Sequence, residues 1–342
     1  MNTSQYHPCQ LPAKLLRFML LLLALSLPLP VLAWDGVGHR LTAAVALEFI
    51  GESRREQLLE ILAAHPRYQQ DFLEQIPAYV DQDDRSALAQ WLLGQAAYWP
   101  DMARGLPSQA RQQFNRPRWH YTDGAWVRGA AAFQGNQYIN IEPFADIPGE
   151  PPNSIGSEAD AHNVVTALDY NAGILSDHDA NPASRAVALC WVLHLIGDIH
   201  QPLHTGSMFS DGVFSDGDLG GNRVPIGDSN LHAEWDGALR EIGITNSLPA
   251  ILQQLSGFSS PRIQGVESDW TAWMSESRQI LTSQVYTEEM KQAVAAADAS
   301  GADELDKMEL DANYRNQMQR QSRIRLGLAG LRLAIFFENE LP

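Results

Sequence analysis

The chain predicts an all-α protein, a single mainly helical domain, on three observations. Apolar residues recur at helical spacing in several long segments, strand-like alternation is scarce, and no linker sharp enough to divide the sequence interrupts them. No internal repeat is evident. Residues 34–342 are long for one core but possible as one domain.

Taken in order, residues 1–33 read as a secretory signal peptide. Lys14 and Arg17 supply the positive region, residues 15–27 an apolar run broken by Pro28 and Pro30, and Val31-Leu32-Ala33 a cleavage site. An uncleaved anchor is the other reading, but the apolar run is short for a bilayer span. Cleavage after Ala33 predicts a secreted or periplasmic protein without a membrane anchor, beginning at Trp34. Residues 41–50, with Val45, Leu47 and Phe49 among alanines, read as a helix. Residues 185–199 are almost wholly apolar, as expected of a helix at the centre of a fold. Ile324, Leu328, Leu331 and Ile335 follow i, i+4, i+7, i+11 and predict an amphipathic C-terminal helix. Residues 130–157 and 208–221, rich in Gly with Pro, Asn, Ser or Asp, read as irregular connections. Residues 296–311, acidic and alanine-rich, read as a solvated helical face or linker.

The formal net charge of −17 excludes a generic nucleic-acid binder, which needs a basic surface. An acidic chain still acts on a polyanion where bound metal makes a pocket locally positive. Cys9 lies in the signal, so Cys190 is alone in the mature chain and no intrachain disulfide forms; its apolar setting makes it a buried small side chain.

The candidate chemistry lies in a spaced set of histidines and carboxylates: Trp34 and His39 in WDGVGH, Asp101 in YWPD, His120 in RWHYTD, His194, Asp198 and His204 in HLIGDIHQPLH, and His232 and Asp236 in NLHAEWD. His194/Asp198 and His232/Asp236 are each four apart, on one helical face. One such pair has a bland reading as an ion pair or satisfied core histidine; two beside apolar runs point to ligation. Mixed imidazole and carboxylate donors favour zinc over calcium or magnesium. An α-amine at Trp34 deprotonates easily beside a metal, so Trp34 can chelate through its amine and carbonyl; alternatively it is only a core aromatic. Nine ligands exceed one ion, and a metal cluster suggests hydrolysis of a phosphate ester.

In this order, Trp34-x4-His39, YWPDMAR, WHYTD, HLIGDIHQPLH, GGN at residues 220–222 and NLHAEWD resemble the S-one/P-one type zinc nucleases, secreted single-strand-specific nucleases and 3′-nucleotidases. The resemblance covers essentially the whole mature chain. Zinc-dependent phospholipases C are more distant relatives of similar helical fold. The resemblance implies three zinc ions. Asp101, His120, His194 and Asp198 would hold the first; Trp34, His39 and the bridging Asp198 the second; His204, His232 and Asp236 a third set apart. It also implies that Asp101 orients or deprotonates the attacking water and that Arg104 neutralises a phosphate oxygen. Tyr121 would stack on a base, with Asp123, Gly220 and Asn222 as polar contacts. The implied substrates are single-stranded DNA, RNA and 3′-nucleotides; no stable protein partner is implied and a monomer is expected. A zinc-dependent phospholipase C and a non-catalytic zinc-binding protein are the rival readings.

Two departures from the family stand out. The segment after His204 is longer, and its Phe209 and Phe214 either reach the pocket or anchor the loop. Arg223 follows GGN where relatives carry a smaller or apolar residue, and a guanidinium also stacks on a base. His65 and His178 lie in polar turns and are expected to be solvated. His200, between ligands, has no matching role.

Overall fold

The computed structural model describes residues 34–122, 137–139, 163–256 and 268–341. Residues 1–33, which the sequence reads as a signal peptide, lie outside them, as do Asp123, His162 and nearly all of the 130–157 connection. The architecture is all-α. Helix α1 (Gly36–Leu47) is followed by α2 (Glu52–Ala63), a single turn at Tyr68–Asp71, α3 (Arg85–Met102) and α4 (Ser108–Phe114). After them come α5 (Val164–Ser176), α6 (Pro182–Asp198), α7 (Leu231–Asp236), α8 (Gly243–Ser256), α9 (Trp270–Ile280), α10 (Glu288–Ser300) and α11 (Ala312–Glu340). Strand among the described residues is limited to two-residue pieces: β1 (Gln137–Tyr138) pairs in parallel with β2 (Met208–Phe209), and β3 (Pro225–Ile226) pairs antiparallel with β4 (Ser229–Asn230).

Local sequence starts these helices. Asp35 caps α1 by accepting from the Val37 and Gly38 N–H groups, and Asp84 does the same for α3. Asn163 and Thr166 form a reciprocal capping box on α5, and Asn181 followed by Pro182 opens α6. The first helix begins five residues before the apolar stretch suggests, because its cap is Asp35 and its first turn carries His39.

Helix α6 runs through the centre, packed by α1, α2, α3, α5 and α11. Every residue from Ala188 to Asp198 is buried, Cys190 among them. A second core lies under the 203–226 segment, where Phe214, Val224, Leu231 and Trp235 meet Leu281, Tyr286 and Val294. Phe209 and Phe214 are buried at 1% and 2% exposure, so both anchor the loop. Two expectations are corrected. Leu305 and Leu310 are buried against this second core and Met308 bridges to Ile226, so 296–311 is only partly solvated. On α11, Leu331 is buried as the stripe predicts, but Ile324, Leu328 and Ile335 flank the buried face, which also carries Arg325, Leu326, Ala329, Leu333, Phe336 and Phe337. Helices pack against α11 on more than one side, which widens its buried face beyond a single stripe.

Among the described residues, no helix is long and apolar enough to cross a membrane.

Candidate metal centre

Six stretches of chain bring their chemistry to one place. Helix α1 supplies His39, α3 Asp101, the 3-10 turn Pro117–His120 supplies His120, α6 His194 and Asp198, the turn Pro202–His204 supplies His204, and α7 His232 and Asp236. All eight side chains are buried, Asp101 being the least at 6% exposure. They form three sets of ligand atoms, each within 4.8 Å: His39, His194 and Asp198; Asp101, His120 and His194; His204, His232 and Asp236. His194 belongs to two sets, and its ring stacks on His39 at 3.8 Å. Asp198 reaches both sides of the first pair, with Oδ2 3.1 Å from His120 Nδ1 and from His194 Nε2, and Oδ1 3.5 Å from His39 Nε2.

Backbone carbonyls aim the imidazoles. A carbonyl only accepts, so the nitrogen facing it carries the proton. His194 Nδ1 donates to Ala97 O at 2.7 Å, His204 Nδ1 to His120 O at 2.6 Å, and His232 Nδ1 to Gly220 O at 2.7 Å. Each Nε2 lone pair is thereby turned inward, the arrangement that metal-binding histidines need. Pro100 withdraws an N–H from the α3 ladder close to the Ala97 carbonyl that serves His194. Gln201 Nε2 donates to Asp236 Oδ1 at 2.7 Å, which leaves Oδ2 for another partner.

The result is a convergence of acceptors. His204 Nε2 and His232 Nε2, both unprotonated, face each other at 3.2 Å. Two lone pairs at that distance repel unless a cation or proton stands between them. Both ring nitrogens of His39, Asp101 Oδ2, Asp198 Oδ1 and Asp236 Oδ2 are buried without a hydrogen bond. Unsatisfied buried polar atoms are costly, and their number here fits a metal cluster of borderline-soft ions such as zinc.

Electrostatics agree. Burial, reinforced by His194, holds His39 and His120 well below the usual imidazole range. Burial lowers His194 to about 4 against the pull of Asp101. The rings are therefore neutral, the form that ligates. Burial also pushes Asp101 up to about 6 and Asp198 well above the carboxylate range, with Asp236 raised as well. A divalent cation among them offsets the cost of ionising three buried carboxyls.

Arg104, from the 3-10 turn that continues α3, pairs with Asp101 Oδ1. Its side chain is 20% exposed, so the guanidinium spans the wall between ligand and solvent. Tyr121 directly follows His120 and is half-buried; its carbonyl accepts from Val164 N, and the next residue's N–H donates to His204 O. Gly220 sits at φ +60°, and a Cβ there would meet Leu203 O at 2.4 Å, so only glycine lets the carbonyl reach His232. Asn222 Nδ2 donates to Leu219 O, and the exposed Arg223 donates to Gly217 O. Trp34 is buried and its indole donates to Gly197 O.

Sequence reasoning misses two features. His65 is buried at 4% exposure against Trp99, Phe72 and Phe114, not solvated; its surroundings come from three separate segments, which a polar local context hides. His178 is exposed, as expected. His200 is buried and fixed, with Nδ1 donating to Ile196 O and Nε2 accepting from Arg332. The only sequence signal is its place between Asp198 and His204.

Residues 34–341 match the model of the S1/P1 Nuclease family. The chain is 34% identical to Endonuclease 5 of Arabidopsis thaliana over 96 residues, 26% of this chain and 29% of that protein. It is 33% identical to Endonuclease 3 of the same plant over a stretch of equal length, again 29% of the relative. With Nuclease S1 of Aspergillus oryzae it shares 24% identity over 210 residues, 57% of this chain and 70% of the relative. The matches with the plant proteins thus span under a third of their length. The family match instead spans the chain from Trp34 to its C-terminal helix: the chain belongs to the S1/P1 Nuclease family.

Proposed function

We propose that this protein is a secreted or periplasmic zinc-dependent nuclease. It hydrolyses phosphodiester bonds of single-stranded DNA and RNA to products ending in 5′-phosphate, and removes 3′-phosphate from nucleotides. The observation that carries this reading is the convergence of buried imidazole and carboxylate ligand atoms in three sets beside an arginine.

Asp101, His120, His194 and Asp198 would hold one zinc ion, His39, Asp198 and the amine and carbonyl of Trp34 a second, and His204, His232 and Asp236 a third. Zinc, when bound, acidifies water and neutralises phosphate charge. The protein's own groups do the rest. Asp101 has Oδ1 paired to Arg104 and Oδ2 without a hydrogen bond, so one oxygen is left to orient the attacking water and take its proton. Arg104 donates to a non-bridging phosphate oxygen as charge builds there. Gln201 holds Asp236, and the Ala97, His120 and Gly220 carbonyls hold the imidazoles, so the donors need no rearrangement during the reaction. Tyr121 offers a ring at the edge of the centre on which an unpaired base stacks, with Asp123, Gly220 and Asn222 for its polar edge. A base in a duplex must first be unstacked, which favours single strands.

The test measures metal content together with cleavage of single-stranded DNA, duplex DNA and phosphatidylcholine. Three zinc ions per chain, matching the three ligand sets, with chelator-sensitive cleavage of single strands supports the reading. Hydrolysis of lipid alone replaces it with a phospholipase C. Zinc without turnover on any phosphoester reduces the protein to a metal-binding one.

A further inference from the structure

The metal centre does not end at Asp101. That residue borders a hollow of about 370 Å³ with Asp35, Arg40 and Tyr98. Arg40 and Tyr98 in turn line a larger groove of about 840 Å³ between α3, the start of α8 and the segment around Tyr79. The two spaces share these walls, which sets the groove beside the hollow at Asp101. The hollow meets the centre at Asp101, whereas Gly220 meets the centre at His232.

Three properties define the groove's chemistry. Trp91 and Tyr98, two turns apart on one face of α3, flank the Arg40 guanidinium at 6.0 and 5.5 Å from their ring centres. Gln95 Oε1 accepts from Arg40 at 2.5 Å and is itself tied to Asp71 O, so the arginine is held in place. No carboxylate among the described residues pairs with Arg40, although the chain carries a net charge of −17. At the rim Tyr79 is 85% exposed, far beyond any other large apolar side chain of the described residues. A fixed, uncompensated guanidinium among aromatic faces fits a phosphate with its bases. Asp81 on the same wall caps a turn through Asp83 N and does not reach Arg40.

We propose that this groove binds nucleotides flanking the scissile phosphate on the Asp101 side of the centre, with a phosphate at Arg40 and bases against Trp91, Tyr98 and Tyr79. The inference rests on the nuclease reading above. It makes the protein a reader of several nucleotides rather than of one, so longer strands are preferred over dinucleotides.

The experiment compares a deoxythymidine decamer with the dinucleotide, using zinc-loaded wild type, Tyr79→Ala, Trp91→Ala and Arg40→Gln. The ratio of kcat/KM for decamer over dinucleotide is expected to fall at least ~5-fold in the Tyr79 and Trp91 variants, the lower end of what one stacked base contributes. For Arg40→Gln, the dependence of log K on log salt for a labelled phosphorothioate decamer should flatten by about 0.7, the loss of one phosphate contact. A merely structural role for Arg40 leaves that slope alone. Tyr79 is exposed, so its substitution does not threaten folding, and far-ultraviolet circular dichroism checks the other two. A wild-type nuclease whose ratio and slope are unchanged in all three folded variants overturns the groove and spares the nuclease reading. A wild type that cleaves no nucleic acid overturns both.

Discussion

Asp101 has two proposed roles that one substitution separates. Asparagine keeps the shape and a ligating oxygen but cannot take a proton. Asp101→Asn is expected to retain most of its zinc and lose turnover by about 10²–10⁴-fold, the range for a lost acid–base group. Zinc content and cleavage rate measured on one preparation check this, and normal turnover removes Asp101 from its proposed role. Gly197 tests position instead of chemistry. A Cβ there would lie 3.0 Å from His39 Nδ1 and 3.6 Å from Thr42 Oγ1, so Gly197→Ala should push His39 off its place. The expected result is a loss of one zinc ion and about 1–3 kcal/mol of stability, the usual cost of overpacking. His65 tests burial. Burial lowers it to about 4, whereas an unfolded histidine titrates near 6.5. Between those values the unfolded state binds more protons, so stability falls as pH drops from 6.5 toward 4. Replacing it with a side chain that does not titrate removes that slope. In urea titrations at pH 7 and pH 5, His65→Gln should lose less stability on acidification than wild type, by up to roughly 2 kcal/mol at 1.36 kcal/mol per unit. An equal loss in both proteins would place the acid sensitivity elsewhere.

The elements behind the centre are held by a clamp that starts on two later helices. Ser277 Oγ on α9 donates to Ile199 O at 2.6 Å, Arg278 Nε to Thr205 O at 2.7 Å, and Arg325 Nε on α11 to His200 O at 3.1 Å. Arg325 also reaches Trp273 O, Ser277 Oγ and Glu276, and Arg332 joins Glu276 to His200. The turn that carries Gln201 and His204 is thus fixed by its carbonyls, which explains why α11 buries an arginine at 2% exposure. Arg325→Met keeps the aliphatic bulk and leaves those acceptors unpaired, at about 1–3 kcal/mol for each one that finds no water. Chemical denaturation should show this loss, and zinc titration should show weaker binding at His204. A stable variant with normal zinc affinity would mean that the turn holds itself. The spacing His194/Asp198 and His232/Asp236 made the ligands legible, because a helix converts a step of four residues into one face. The clamp was not legible. Its acceptors are main-chain carbonyls, which look alike in every sequence, and Arg325 reads as a surface residue until the neighbouring helices are in place. The same holds for Ala97 and Gly220, whose carbonyls aim His194 and His232.

At the scale of the whole molecule, the candidate metal centre exists only once the chain has folded. The candidate ligand side chains come from positions spread between His39 and Asp236, on six stretches that meet only in the folded state. An almost wholly apolar run foretold α6 and helical periodicity foretold α11, and with them an all-α fold, because burial imposes both over many turns. The meeting of six segments was carried by motif resemblance alone, since no local rule relates Asp101 to His232. Zinc bound only by the folded chain stabilises it by mass action, roughly 4 kcal/mol for one site at a thousand times its Kd. Chelation should therefore lower the unfolding temperature by several degrees, and zinc, not magnesium, should restore it. The N-terminus adds a sharper condition. If Trp34 ligates through its amine, that nitrogen must be free, and a peptide nitrogen neither carries the lone pair nor closes the chelate. Protein with one extra residue before Trp34 should keep the zinc held by His204, His232 and Asp236 and lose the ion shared by His39 and Asp198. Mass spectrometry of the intact chain establishes the extra residue, and metal analysis counts the ions. A full zinc complement with full cleavage in that extended protein would show that His39 and Asp198 hold their ion without the amine, and Trp34 would then be a core aromatic and nothing more.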